Sequence, residues 1–215
     1  PKIPPITDAK TVKLVKKTTL LGFASIHAES RGSVGMGKTT TAKVFEKFGC
    51  SIWDADKTVH KLYSKGGKAV TEVAKLFPSS VEDESISRSR LKALLKNKPQ
   101  NLKKLEEIVH PLVLEDRQNF QKHTSSDVAV FDIPLLFETG ADKEMDKTVC
   151  VFTSTQEQKK RLINRTKGYD DYYKELMSKQ MPSKEKCDLA DYVIETTSHA
   201  VVEKRVTEIL DILRA

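Results

Sequence analysis

Cysteine is scarce in this chain: Cys50, Cys150 and Cys187 are its only three, and they lie far apart. No Cys-x-x-Cys pair or His/Cys cluster has zinc-site spacing, and three scattered thiols make no disulfide framework. A reducing, cytoplasmic setting is expected. No apolar run approaches the roughly 20 residues that span a bilayer, so no membrane role is expected. The stretch "KLVKKTTLLGFASI" imitates a leader peptide, but its apolar part is short and reads better as a buried strand, so secretion is not expected. Internal repeats and low-complexity blocks are also missing. Aromatic residues make up only 7% of the chain, and none are interleaved with a basic patch. Nucleic acid is therefore not an expected partner, although the net charge of +7 favours anions of some kind. The lysines spread over several helix-like stretches, as solvated faces do.

What is present suits a globular α/β protein. A length of 215 residues allows one sizeable core with a small inserted subdomain. Residues 1–16 are rich in Pro and Lys and read as a loosely held tail. Five short apolar runs read as buried strands: Leu20–Ala24, Ser51–Asp54, Val128–Ile133, Thr148–Phe152 and Tyr192–Glu195. Helical patterns separate them, which predicts a parallel sheet of about five strands flanked by helices. The core is expected over 17–59 and 124–215, with a lid at about 156–182. Between its two parts, 60–123 is too long for a simple crossover and reads as a helical subdomain. There Ser87 and Asn101 are placed to cap helices, and Pro111 should kink or interrupt the second, having no N–H to give Glu107.

One motif carries phosphate chemistry. Gly32, Gly37, Lys38 and Thr39 satisfy G-x-x-x-x-G-K-[ST], inside "GSVGMGKTT". The glycines let backbone amides close around phosphate oxygens, Lys38 brings charge to the β and γ phosphates, and the Thr39 hydroxyl can ligate magnesium. The helix that follows turns its N-terminus to the anion, carries Ala42, Phe45 and Phe48 toward one side, and ends at Gly49. The entry to the loop is unusual, because "SIHAESR" stands between it and "LLGFA". Either Leu20–Ala24 is the strand and 25–31 an insertion, or "ASIHAE" is itself a poor strand.

The class of P-loop protein is narrowed by what else is missing. The nearest text to the Asn-Lys-x-Asp of a GTP switch is "NKPQ", without the aspartate, and no serine-glycine signature of an ABC ATPase occurs. A small-molecule kinase needs an acceptor-side base and a cationic lid. Asp54 and Asp56, in "SIWDADKTVH", stand at the carboxyl end of the second strand, where open α/β sheets place their chemistry. Two such carboxylates can divide labour between substrate or metal-bound water and proton acceptance, while either can also simply cap the next helix. Arg161 and Arg165, four apart in "QKKRLINRTK", share a helix face. They can clamp a phosphoryl group or merely meet solvent.

Taken together, "GSVGMGKTTTAKVFEKFGCSIWDADKTVHKLY", "LKKLEEIVHPLV", "VAVFDIPLLFETG" and "QMPSKEKCDLADYVIET" resemble the dephospho-CoA kinase family, in order and at compatible separations. The likeness runs from about Gly32 to the C-terminus. It implies a P-loop kinase fold with a CoA-side helical domain and a lid, and transfer of the ATP γ-phosphoryl to the ribose 3′-hydroxyl of dephospho-CoA. By the same resemblance, Asp56 is the general base, Lys38 stabilises the transferring group and Arg161 reaches in from the lid, with Arg165 beside it on the nucleotide. Gly35, Met36, Gly37, Lys38, Thr39 and Thr40 hold ATP, and Thr39 ligates magnesium. His110 and Pro111 match the family's His-Pro element beside the acceptor, where Asp54 also stands. Pro134 and Leu135 belong to the Pro-Leu-Leu-x-Glu element at the substrate side, although with Leu136 they also read as a core continuation of the strand. Glu138 follows as a polar substrate contact, and Asp132 is a second-rank metal ligand. Thr196 departs from the pattern, since an asparagine commonly follows "YVIE". A kinase acting on another small molecule or a nucleoside monophosphate shares the loop. A nucleotide- or nucleic-acid-binding module without activity is the reading from a different class.

Overall fold

The computed structural model describes residues 19–25, 37–98, 100–133, 135–153 and 183–215. The tail at 1–16, the lid at 156–182, and Gly32, Gly35, Met36, Pro134, Arg161 and Arg165 lie outside the described residues.

Strands β1 (Thr19–Ser25), β2 (Ser51–Asp54), β5 (Val128–Asp132), β6 (Lys147–Phe152) and β7 (Tyr192–Glu195) form one sheet in the order β2-β5-β1-β6-β7. Every pairing is parallel. The strand expected at Leu20–Ala24 is the central one, and it ends at Ser25. The Leu20 N–H donates to Asp146 Oδ2 at 2.8 Å. The third predicted strand stops at Asp132 rather than Ile133. Beyond it the chain turns, with Thr139 N–H donating to the Leu135 carbonyl and Ala141 N–H to that of Leu136, both at 3.0 Å.

Strand β5 is buried along its whole length, as a parallel strand covered on both faces should be. Val128 and Val130 pack with Val44 and Phe45 of α1 (Lys38–Lys47) and with Val202, Val206, Ile209 and Leu210 of α7 (His199–Arg214). Ala129 and Phe131 face the opposite layer, where they meet Trp53 and Phe120. Side chains alternate along a strand, so Asp132 falls on the Val130 side, toward α1. The α1 helix closes with a 6→1 and 5→2 pair of bonds, Cys50 N–H to Phe45 O at 3.1 Å and Gly49 N–H to Glu46 O at 2.9 Å. Gly49 takes φ +87° there, so the expected glycine stop is a Schellman cap.

A second core belongs to the helical region. It gathers Leu62 and Tyr63 of α2 (Ala55–Tyr63), Val73 of α3 (Val70–Leu76), Ile86 of a short β3–β4 hairpin (Val81–Glu82, Ser85–Ile86), Leu91 and Leu95 of α4 (Arg88–Asn97), and Leu105 and Val109 of α5 (Asn101–His123). The expected caps differ. The Ser87 hydroxyl pairs with Ser89 at 3.0 Å instead of capping α4, and Gln100, not Asn101, precedes α5. Helix α5 also runs unbroken through Pro111. Its first half sits in the helical core and Phe120 sits under the sheet, so packing at both ends outweighs one missing hydrogen bond.

Candidate active site

Gly37 stands at the N-terminus of α1 with φ +82°, in the left-handed region that glycine enters without strain. A Cβ there would lie 2.9 Å from Cβ and Oγ1 of Thr196, so glycine is required on two counts. Thr196 is buried and held by its own N–H, which donates to the Phe152 carbonyl at 2.8 Å. Among the described residues no side chain caps the first turn of α1, and no acid stands in that turn. The amides and positive dipole end of such a turn suit an anion. Thr39 and Thr40 are exposed in that turn.

Lys38, the first residue of α1, reaches back to the sheet. Its Nζ lies 2.6 Å from Oδ1 of Asp132, and both side chains are largely buried. Asp54 is the register partner of Asp132 across the β2–β5 pair, so the two carboxylates end neighbouring strands. Burial pushes the Asp132 carboxyl up from its usual range; Lys38 pulls it down, and Asp54 and Asp56 add a smaller push upward. Asp54 does cap α2, its Oδ1 accepting from Lys57 N–H at 3.0 Å. Asp56 is exposed in the first turn of α2.

The edge of the sheet thus brings together Gly37, Lys38, Thr39, Asp54, Asp56 and Asp132. No hydrogen bond or ion pair among the described residues joins His110 or Pro111 to this group. Both are exposed on α5, which belongs to the helical core. Leu135 is exposed, unlike Leu136, which is fully buried. Glu138 Oε1 lies 2.6 Å from Nζ of Lys186, a completely buried lysine on α6 (Ser183–Leu189). Lys186 and its pairing were not foreseen, because "SKEKCDL" has the look of a solvated charged run.

The donors suit magnesium in kind. Thr39 and Asp132 offer hard oxygens, and no group of three or more His, Cys, Asp or Glu among the described residues could hold a metal ion.

A sequence model of dephospho-CoA kinases matches residues 30–201. A dephospho-CoA kinase of Ruegeria pomeroyi is 46% identical over 184 residues, 86% of this chain and 93% of the relative. The chain belongs to the dephospho-CoA kinase family. Another kinase of that name, from Jannaschia, is 46% identical over 166 residues, covering 77% of this chain and 85% of its own. Among solved structures, the Thermus thermophilus protein TT1252 superposes with a TM-score of 0.75 at 26% identity, over 92% of this chain and 98% of that one. A dephospho-CoA kinase from Campylobacter jejuni shares the fold, with a TM-score of 0.60 at 22% identity over 92% of this chain and 98% of its own. The family match includes the loop glycines Gly32 and Gly35 and the segment holding Arg161 and Arg165, which lie outside the described residues.

Proposed function

We propose that this sheet edge transfers the γ-phosphoryl of ATP to the ribose 3′-hydroxyl of dephospho-CoA, giving CoA and ADP, with Asp56 as general base. The observation that carries the reading is Lys38, 2.6 Å from Asp132 at the N-terminus of α1, with Asp54 in register beside it. Phosphoryl transfer needs little covalent help. It needs in-line positioning and positive charge around the transferring group.

The amides of the first turn of α1 hold phosphate oxygens, with Gly32, Gly35 and Met36 completing the loop. Lys38 leaves Asp132 for the β and γ phosphates when they arrive. Thr39 and Asp132 would hold magnesium, which supplies charge compensation on the phosphates when bound. Asp56 accepts the proton of the acceptor hydroxyl, and Asp54 keeps the start of α2 in place beside the substrate. Arg161 and Arg165 clamp the phosphoryl group from the lid. His110, Pro111, Pro134 and Leu135 face the acceptor, and Glu138, fixed by Lys186, contacts it. Residues 60–123 are the CoA-side subdomain. A cytoplasmic setting follows from the substrate; among the described residues, no helix is long and apolar enough to cross a membrane.

The test is ADP release from Mg·ATP with and without dephospho-CoA, with the product weighed for one added phosphate. Acceptor-dependent release is expected, and Asp56→Asn should lower kcat by about 10²–10⁴-fold with little change in KM for ATP. Faster phosphorylation of a nucleoside monophosphate would overturn the acceptor assignment. Salt-sensitive RNA binding without turnover would replace the enzyme by a binding module.

A further inference from the structure

Asp116 lies on α5, outside every element that carries the phosphate chemistry, yet it grips the chain on both sides of Asp54 and Asp56. Its Oδ1 accepts from Trp53 Nε1 at 2.9 Å and from Thr58 Oγ1 at 3.2 Å. Its Oδ2 accepts from Lys61 Nζ at 3.1 Å. Trp53 immediately precedes Asp54, and Thr58 comes two residues after Asp56. Both anchors are buried, so their polar atoms need partners inside the protein. One carboxylate supplies both.

The clasp closes over a change of structure. β2 ends at Asp54 and α2 begins at Ala55, with no connecting loop to absorb error. The direction in which α2 leaves the sheet sets where Asp56 points. The α5 helix that carries Asp116 is itself fixed at both ends. Leu105 and Val109 sit in the helical core, while Phe120 stacks edge-on against Phe131, 5.6 Å between ring centres. Phe131 adjoins Asp132 on β5, so α5 also touches the strand that ends at the partner of Lys38. Burial would push the Asp116 carboxyl up, but hydrogen bonds from Trp53, Lys61 and Thr58 outweigh it and hold the group below the usual range. The acceptor is thus charged, and charged acceptors make the stronger bonds.

We propose that Asp116 is a positioning residue for the phosphoryl transfer: by clasping Trp53 and Thr58 it fixes the β2–α2 junction and with it the aim of Asp56. The inference rests on the reading of Asp56 as the base. It also gives the helical subdomain a physical line to the reaction centre, because a shift of α5 moves the junction with it.

Trp53 is the only tryptophan of the chain, so one indole N–H proton resonance reports the clasp directly. Asp116→Ala should move that resonance upfield and lower kcat by about 10- to 100-fold, the usual cost of a reacting group displaced by an ångström, with KM for ATP little changed. Asp116→Asn keeps an oxygen acceptor and should restore most of kcat. Lys61→Met removes only the outer ion pair and should leave both the resonance and kcat as they were. In an Asp56→Asn background, Asp116→Ala should cost little more, since the two changes then strike one function. Full losses in both backgrounds would show that Asp116 acts elsewhere, and an unchanged kcat with a displaced resonance would end the proposal. An active Asp56→Asn enzyme would instead remove the base assignment while leaving the resonance test of the clasp intact. Should Asp116→Ala fail to fold, Thr58→Val breaks one arm of the clasp and must lower kcat in the same way.

Discussion

Lys38 and Asp132 hold each other at 2.6 Å in a place where only 4% of Asp132 is exposed. Removing one member of a buried pair costs more than the pair contributes, because the other charge is left uncompensated, about 3–5 kcal/mol. Lys38→Ala should therefore destabilise the nucleotide-free protein as well as abolish turnover. The loss has a pH signature. Asp132 already titrates above its usual range through burial, and without Lys38 it rises further. A carboxyl whose folded value is raised binds its proton more tightly in the folded state, so stability falls as pH rises from the unfolded value, about 3.9, through the folded one. Urea unfolding should show a larger deficit at pH 8 than at pH 5, and Lys38→Ala with Asp132→Asn should recover most of it. Equal deficits at both pH values would contradict this account.

Much of this site was readable from residue order. The Gly-Lys-Thr run, the β-branched strands and the Asp-Ala-Asp at a strand end are local signals, and each fell on the expected element. Three things were not readable. The partnership of Lys38 with Asp132 spans 94 positions, and only the period-2 alternation of β5, once its neighbours are known, turns Asp132 toward α1. Lys186 lies in a run of charges, and its partner Glu138 stands in the turn after β5, which no pattern in its own segment reveals. Asp116 looks like any acid in "LEDRQNF"; its role exists only because α5 crosses the β2–α2 junction. Of the expected kink or interruption at Pro111, the interruption does not occur, since a local rule met a helix held at both ends by packing.

Gly37 and Thr196 make a contact with no room for a methyl group. In Gly37→Ala, the new Cβ would meet Thr196 at 2.9 Å while the backbone stays at φ +82°. A non-glycine residue in that region costs about 1–2 kcal/mol before any clash is counted. Thr196 has little freedom to move aside, since its N–H and hydroxyl both bond to the Phe152 carbonyl. ATP affinity, read by calorimetry, should fall by about 5- to 30-fold, the equivalent of that backbone cost. Adding Thr196→Ala relieves the contacts with Oγ1 and Cγ2 but not the backbone angle, so it should return only part of the affinity. Wild-type binding by Gly37→Ala alone would show that the loop does not need this geometry.

Two carboxylates at the base of the sheet contribute to the acid limit of the fold. The Arg214 guanidinium, bonded at 2.7 Å through Nε, holds Asp127 below the usual carboxylate range. Burial works against Asp191, but bonds from Lys147 and from the hydroxyl and N–H of Thr148 outweigh it, and this carboxyl too is held low. A depressed folded value contributes stability that is complete above the unfolded value, about 3.9, and is lost as pH falls through the folded one. The unfolding midpoint should therefore hold steady toward pH 5 and drop on further acidification. Asp127→Asn and Asp191→Asn should each lower the midpoint near neutrality and flatten its acid decline, because the proton-linked part of the contribution is already gone. An acid decline as steep as that of the parent in both variants would place the linkage on other carboxylates.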